Sequence, residues 1–599
     1  MAAETLPGLL AEQAATRPKD VAIRVKRLGI WSEVTWAGYA DDVRDITLAL
    51  EDSGVGRGDR VAIFANNGPR FLGVDLAVQT LRGVSVGMHP VQDADELAAN
   101  LTAAKADVIV LGDQQHVDNV LAVREQIPPY AKLVVFDPKG LHTPEYHDEP
   151  IVQFDDLRAR GRQRHEEQPG RYAELLAAVE PDDASIVSFT AGTTGLPRGV
   201  LLSQRGQVAM GRLLAAHVDA GPEDRVFSLQ PLGLATSRVF DVVVPLVTGA
   251  SVNFPESIET IEADLAELSP TLLLASPRFY ARIRSTAEVR SARATAFKRI
   301  VYRAGMRQLE KALRARLNGG RASFAQWLGR LVTGRWVLDR AGLLRIRYAG
   351  VTGGSVPADL AEWYWKLCLP LHELYGQAEA GGIAFAQRGL EDAGTAGVAI
   401  GAGVEARSGA DRELQLRTPG LLAGRLGGGD PGLVDAWLAT GDLAELDAAG
   451  RLTLRDRRIG LLSTTRGDTV SAGDIAGVLE RSRYVSSAVV VAEGRPYVTA
   501  LIELELEAVA EWAKEREKPV TTYAALAVDE DVRRLVAEEV EAANSALDES
   551  SRVRGFAITT QPLHDERTAT GTVQRDAVLA RYSALTESLY GSPVSPVAA

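Results

Sequence analysis

The chain holds one cysteine, Cys368, in 599 residues, and that scarcity closes off an intramolecular disulfide. Its eight histidines are scattered and make no ligand cluster with the cysteine, so a zinc site is excluded on supply. Long apolar runs are missing too. The nearest candidate, "VFDVVVPLVTGASV" from Val239, falls short of the roughly 20 residues that span a bilayer and carries Asp241, so no membrane crossing is expected. The opening "MAAETLPGLLAEQAATRPKD" has neither a basic leader nor an apolar run of signal-peptide length, which predicts a cytoplasmic location. Positive charge is in deficit, with a net −13, and no aromatic-basic sheet motif occurs; nucleic acid is not an expected partner. No internal repeat at a fixed period is visible.

What is present is an ordinary globular composition, 46% apolar and 24% charged, in a chain too long for one core. The acidic excess is uneven. Between Arg282 and Arg347 there are 17 Lys or Arg against Glu288, Glu310 and Asp339. Such a block reads either as solvated helix faces or as a surface for anionic lipid or a polyphosphate, each basic residue contributing about 1 kcal/mol near an anionic surface. The second reading makes 282–347 a candidate peripheral contact with the inner membrane face. Trp327 and Trp336 in this window suit an interface or a core equally.

From Asp20 to about Gly249 the apolar runs "RVAIFA", "ADVIVLG", "KLVVFD" and "SIVSFT" alternate with helical stretches, the pattern of parallel strands with helices on both faces. Helical periodicity dominates Pro277 to Gly342, followed by "LRIRYAG" and "LPLHELYG" as further strands. Beyond about Asp411 short strands are joined by tight turns, among them the hairpin signal "DAAG", Asp447 to Gly450. The expected fold is therefore α/β. A large N-terminal domain of mixed and parallel sheets flanked by helices spans 1–456, a small mobile α+β domain spans 457–590, and 591–599 form a disordered tail.

The stretch "SFTAGTTGLPRGVLLS", Ser188 to Ser203, stands where a strand should end in a parallel sheet, the place such sheets bind ligands. Glycines let backbone N–H groups close on a phosphate, and Thr193 and Thr194 add hydroxyl donors. Neither the G-x-x-x-x-G-K-[ST] nor the G-x-G-x-x-G spacing fits this loop. The second does occur at "GGGDPG", Gly427 to Gly432, but no strand is expected to lead into it, and the match reads as chance.

Read with the rest of the chain, "SFTAGTTGLPRG" resembles the phosphate loop of adenylate-forming enzymes, [ST]-S-G-T-T-G-x-P-K-G. This superfamily includes acyl-CoA synthetases, peptide-synthetase adenylation domains and luciferases. "VTGGSVP" at Val351, "YGQAEAGG" at Tyr375, "ATGDLAELDAAGRL" at Ala439 and "RDRRIGLLSTTRGDTVSAGDIAGVLE" at Arg455 follow in the family's order, so the resemblance covers nearly the whole chain. The length, "SPRFYARI" and the basic helical stretch after it are most like the bacterial long-chain fatty acyl-CoA synthetases. The resemblance implies that a small-molecule carboxylic acid attacks the α-phosphate of ATP, and that coenzyme A's thiol then displaces AMP. It also implies roles. The loop Thr190 to Gly199, with Gly192, Thr193, Thr194, Gly195 and Arg198, would hold phosphates. Thr194 and Glu379 would hold Mg²⁺, and Tyr375 would stack on adenine beside backbone from Gly353 and Gly354. Asp442 would accept from the ribose hydroxyls, with Arg457 assisting near a hinge at Arg457 to Gly460. Arg198, Thr194 and Glu379 carry the catalytic assignment.

The chain departs from the family at several of these positions. Arg198 replaces the loop lysine, Ala191 the serine before "GTTG", Leu234 the aromatic or histidine of "P-L-x-H", and Ala378 and Ala380 the hydroxyl residues flanking the glutamate. Arginine keeps the positive charge and binds phosphate through its fork, so Arg198 is expected to stand in for the lysine. Thr572 stands where the C-terminal "T-P-T-x-K-x-K-R" segment places its catalytic lysine. Losing one transition-state donor costs about 10²–10³ in rate, so adenylation by the family mechanism is expected to be slow unless Arg567 or Arg575 substitutes. Two alternatives follow: a degenerate relative with lost or weak adenylation that binds nucleotide or acyl-adenylate as a regulatory or half-reaction protein, and an adenylating enzyme with an acceptor other than coenzyme A. The apolar "GGIAFAQRG", Gly381 to Gly389, suits either an apolar substrate tail or plain sheet core.

Overall fold

The computed structural model describes residues 3–591 other than 131, 144–145, 147–148, 191–197, 318–328, 410–411, 429–431, 458–459, 517, 519–521, 564–565 and 567–572. Two large sheets dominate. The first runs in the order Gly424–Arg425, Gly199–Ser203, Ala184–Phe189, Val84–Gly87, Arg60–Phe64, Val108–Leu111, Lys132–Val135, Ile151–Gln153. From Ala184–Phe189 onward each neighbouring pair is parallel, and the two strands at the other edge are antiparallel. The four apolar runs noted from "RVAIFA" to "SIVSFT" are all strands of this sheet.

The second sheet orders Val398–Ala399, Phe385–Ala386, Leu371–Tyr375, Tyr348–Val351, Leu272–Ala275, Arg225–Phe227, Ser251–Phe254, Val21–Arg27 and Ile30–Thr35. Its interior strands Leu272–Ala275 and Tyr348–Val351 are buried at every residue, as expected of parallel strands covered on both faces. A third, antiparallel sheet joins Glu405–Ser408, Glu413–Arg417, Trp437–Leu446, Leu433–Val434 and Leu452–Arg457. The turn Asp447–Gly450 closes its last hairpin, with Gly450 N donating to Asp447 O and Asp447 Oδ1 accepting from Ala449 N and Arg451 N.

Helix starts follow local chemistry. Ser203 Oγ accepts from Gly206 N and turns the strand after the glycine-threonine loop into the helix Gln204–His217. Ser276 does the same for Pro277–Ala292, whose first residue is a proline suited to a first helical turn. The last unit packs the strands Val485–Val491, Val498–Leu504 and Val553–Ile558 against Ala472–Leu479 and Glu530–Asn544. Its core begins at Leu462, whereas the clusters under the large sheets run no further than Leu452.

Two expectations need correction and one open reading is decided. A two-residue strand, Gly424–Arg425, does lead into "GGGDPG", but the strand Leu433–Val434 follows rather than a helix, so the segment still lacks the strand-turn-helix form of a dinucleotide loop. Within "GGIAFAQRG", Ile383, Ala384, Phe385 and Ala386 are sealed in the core around Phe240 and Leu374, which makes the segment sheet core. Gly591 closes the helix Ser583–Gly591 and does not begin a tail; 592–599 lie outside the described residues, as does Trp327. Trp336 is exposed. Among the described residues no helix is long and apolar enough to cross a membrane.

Candidate active site

The glycine-threonine loop leaves the carboxyl end of Ala184–Phe189 and returns through Gly199–Ser203. Its foot is tied by Thr190 N donating to Arg198 O (3.1 Å) and Arg198 N donating to Thr190 Oγ1 (3.4 Å), with the Arg198 side chain exposed. Gly192, Thr193, Thr194 and Gly195 lie outside the described residues, as do Ala191, Arg567 and Thr572. Just before the loop, Ser188 Oγ donates to Gly233 O (2.9 Å) and accepts from Ala235 N (3.1 Å), anchoring the turn that carries Leu234.

A second strand end meets this one. After Leu371–Tyr375 the chain turns through Gly376, where a Cβ would overlap the carbonyl of Gly382, and delivers Gln377 and then Glu379 on the short turn Ala378–Ala380. Glu379 O accepts from Leu422 N (2.9 Å), and Glu379 Oε1 accepts from Arg425 Nη1 (3.2 Å), each side chain 15% exposed. Arg425 Nε is buried without a hydrogen-bond partner among the described residues.

Asp442 comes from the third sheet, in Trp437–Leu446, and is 6% exposed. Its Oδ2 accepts from Tyr375 Oη (2.6 Å) and from Gln377 Nε2 (2.7 Å), and Gln377 Nε2 also reaches Thr440 O (3.0 Å). The Tyr375 ring is buried among core side chains, so its phenol orients Asp442 while its ring seals the sheet beneath. Across the hairpin Asp442 pairs in register with Arg457. The structure thus brings Tyr375 and Asp442, 67 positions apart, into direct contact.

Gly353 and Gly354 follow Tyr348–Val351 and are exposed, with Gly353 at φ 83° and open space where a side chain would stand. Val356 N, in the same loop, donates to Glu373 Oε1 (2.8 Å), and burial pushes the Glu373 carboxyl up to about 7. Arg575 is held inside the last unit, its Nε donating to Val490 O (3.2 Å) and burial lowering its pKa.

Sequence reading missed Gln377, Glu373 and Arg425. Glu373 sits inside the quoted "LPLHELYG" and Gln377 inside "YGQAEAGG", and both were legible as polar neighbours of Tyr375; nothing in "LAGRLGG" marks Arg425. As for Mg²⁺, no group of three or more His, Cys, Asp or Glu that could hold a metal occurs among the described residues. One half-buried carboxylate, Glu379, fits an ion that keeps waters and phosphate oxygens as its other ligands.

A buried carboxylate braced by two donors, and an arginine at the foot of a glycine-threonine stretch beyond the carboxyl end of a parallel strand, fit a nucleotide-binding α/β enzyme. Comparison with known families narrows this. The model for "AMP-binding enzyme" matches residues 10–423, and that for "AMP-binding enzyme C-terminal domain" matches 460–593. The chain belongs to the AMP-binding enzyme family. It is 26% identical over 578 residues to long-chain-fatty-acid–CoA ligase FadD15 of Mycobacterium tuberculosis, covering 94% of this chain and 93% of that one. It is 24% identical to long-chain-fatty-acid–CoA ligase heimdall of Drosophila melanogaster, covering 79% and 72%. Among solved structures it shares the fold of the anthranilate CoA ligase AuaEII in complex with anthranoyl-AMP. That match has a TM-score of 0.72 at 17% identity and covers 97% and 98% of the two chains.

Proposed function

We propose that this chain is an AMP-forming acyl-CoA ligase that activates a medium- or long-chain, or otherwise apolar, carboxylic acid through its acyl-adenylate. The observation that carries the reading is the Tyr375–Asp442–Gln377 cluster, a buried carboxylate on which two side-chain donors converge, in a chain 26% identical over most of its length to a long-chain ligase. ATP's phosphates would lie at the loop Thr190 to Gly199 with Arg198 as cation, its ribose on Asp442, and its adenine beside Gly353 and Gly354. When bound, Mg²⁺ supplies charge neutralisation for the triphosphate, held from the protein side by Glu379 and Thr194. The substrate carboxylate oxygen bonds to the α-phosphorus as the bond to pyrophosphate breaks; the thiolate of coenzyme A then bonds to the acyl carbon and AMP leaves. Separate cores ending at Leu452 and beginning at Leu462 support a division of 1–456 from 457–590.

The test is acid-quenched pyrophosphate release from ATP and Mg²⁺ with a panel of fatty and aryl acids, with and without coenzyme A. Acid-dependent release, and a thioester when coenzyme A is added, is the expected result. Thr572 favours a second reading, a protein that binds nucleotide or acyl-adenylate and adenylates slowly or serves another acceptor. No release with any acid, alongside measurable ATP binding, would select it.

We also assign a peripheral membrane contact to the helix Ala296–Leu317. Phe297 (75% exposed) and Ile300 (66%) stand out from it, with Lys298, Arg303, Arg307, Lys311 and Arg314 exposed along the same helix, a combination suited to anionic lipid. Co-sedimentation with phosphatidylglycerol vesicles but not phosphatidylcholine vesicles, lost in the pair Phe297→Ser and Ile300→Ser, is expected. Equal binding to both vesicle types refutes it.

A further inference from the structure

We propose that Arg425 is a fixed counter-cation at the phosphate end of the nucleotide site. It neutralises Glu379 in the free protein and turns a donor to a phosphate oxygen when the triphosphate enters. The inference rests on the nucleotide reading above and concerns how much of that binding depends on a divalent ion.

Three observations carry it. First, Glu379 is the carboxylate assigned to the ion, and it is already paired with Arg425 Nη1 at 3.2 Å with both groups largely out of water. A bare carboxylate there would repel the incoming phosphates; a paired one does not. Second, the backbone that carries the guanidinium is held in place. Arg425 pairs with Val200, two residues past Arg198; Leu426 N donates to Gly199 O and Leu422 N to Glu379 O, each at 2.9 Å. The segment 422–426 therefore bridges the loop's return strand and the Glu379 turn. Third, Arg425 Nε is a buried donor without an acceptor among the described residues, so it has hydrogen-bonding capacity left for an incoming oxygen. Arginine's planar fork can hold a carboxylate on one edge and a phosphate on another, which a lysine's ammonium cannot do in fixed geometry.

The test is ATP binding by isothermal titration calorimetry on the full chain, in excess Mg²⁺ and in EDTA, for the wild type, Arg425→Gln, Arg425→Lys and Glu379→Gln. Wild type should bind in EDTA within about tenfold of its Mg²⁺ affinity. Arg425→Gln should lose roughly a further tenfold or more in EDTA and recover most of it in Mg²⁺, as the ion takes over Glu379. Arg425→Lys should keep part of the EDTA binding, and Glu379→Gln should bind in EDTA at least as tightly as wild type. Equal EDTA-to-Mg²⁺ ratios in wild type and Arg425→Gln overturn the proposal, and so does wild-type binding that vanishes in EDTA while it persists in Mg²⁺; the nucleotide reading survives both. Wild type that binds ATP in neither buffer removes the nucleotide reading and this inference together.

Discussion

Replacing Asp442 with asparagine keeps the side chain's shape and removes the charge on which Tyr375 and Gln377 converge. Both donors would still find an oxygen, since Gln377 also has Thr440 O within 3.0 Å, so the fold around the site should persist. What is lost is strength toward a diol. A hydrogen bond to a charged group contributes roughly 1.5–3 kcal/mol, and an asparagine oxygen retains part of one of the two expected from a ribose. The net loss should be about 2–3 kcal/mol, or roughly 30- to 150-fold in nucleotide affinity. Calorimetry with ATP and with 2′,3′-dideoxy-ATP separates this from a general defect. Wild type should lose about the same factor on going to the dideoxy nucleotide, while Asp442→Asn should bind the two alike. If Asp442→Asn weakens both nucleotides by the same large factor, the carboxylate is bracing Tyr375 and the third sheet, and the ribose assignment is wrong.

Three further outcomes are expected. Burial holds the Glu373 carboxyl at about 7, above its ordinary 4.5, so the folded protein carries the extra proton; the stability this confers is complete at low pH and is lost as pH rises through that window. Urea midpoints between pH 5 and 8 should show this slope, and Glu373→Gln should flatten it; an unchanged slope refutes the assignment. In the interior, Asp75 and Arg238 form a fully buried ion pair, Asp75 also accepting from Gln79 Nε2 at 2.9 Å. Arg238→Met should cost about 3–5 kcal/mol by stranding the carboxylate, and adding Asp75→Leu should recover most of it in denaturant titrations. Gly376→Ala, by driving a methyl into the Gly382 carbonyl, should lower thermal stability and ATP affinity together, since the same turn aims Gln377 and Glu379; normal affinity in a folded variant would show that the turn does not set the site.

The alternation of apolar runs and helical stretches was enough to place four of the eight strands of the first sheet, because burial on both faces writes itself into each of them as a short, nearly continuous apolar run. The hairpin at Asp447–Gly450 was legible for a similar local reason: aspartate and glycine satisfy that turn by themselves. Where sequence offered two readings, as for Ile383 to Ala386, an apolar stretch carries no mark of whether a core or a ligand covers it. Only packing against Phe240 and Leu374 decided that.

The site divides along the same line. The identity of Arg198, Glu379, Tyr375 and Asp442 as chemistry-bearing residues lay in short motifs in a fixed order, each of which depends on its immediate neighbours. That Tyr375 and Gln377 brace Asp442, that Arg425 occupies Glu379, and that Glu373 holds the loop of Gly353 and Gly354 are contacts between strands from different parts of the chain. Such partnerships leave no periodicity and no turn signal in sequence, because what creates them is the meeting of strand ends when the sheets pack together.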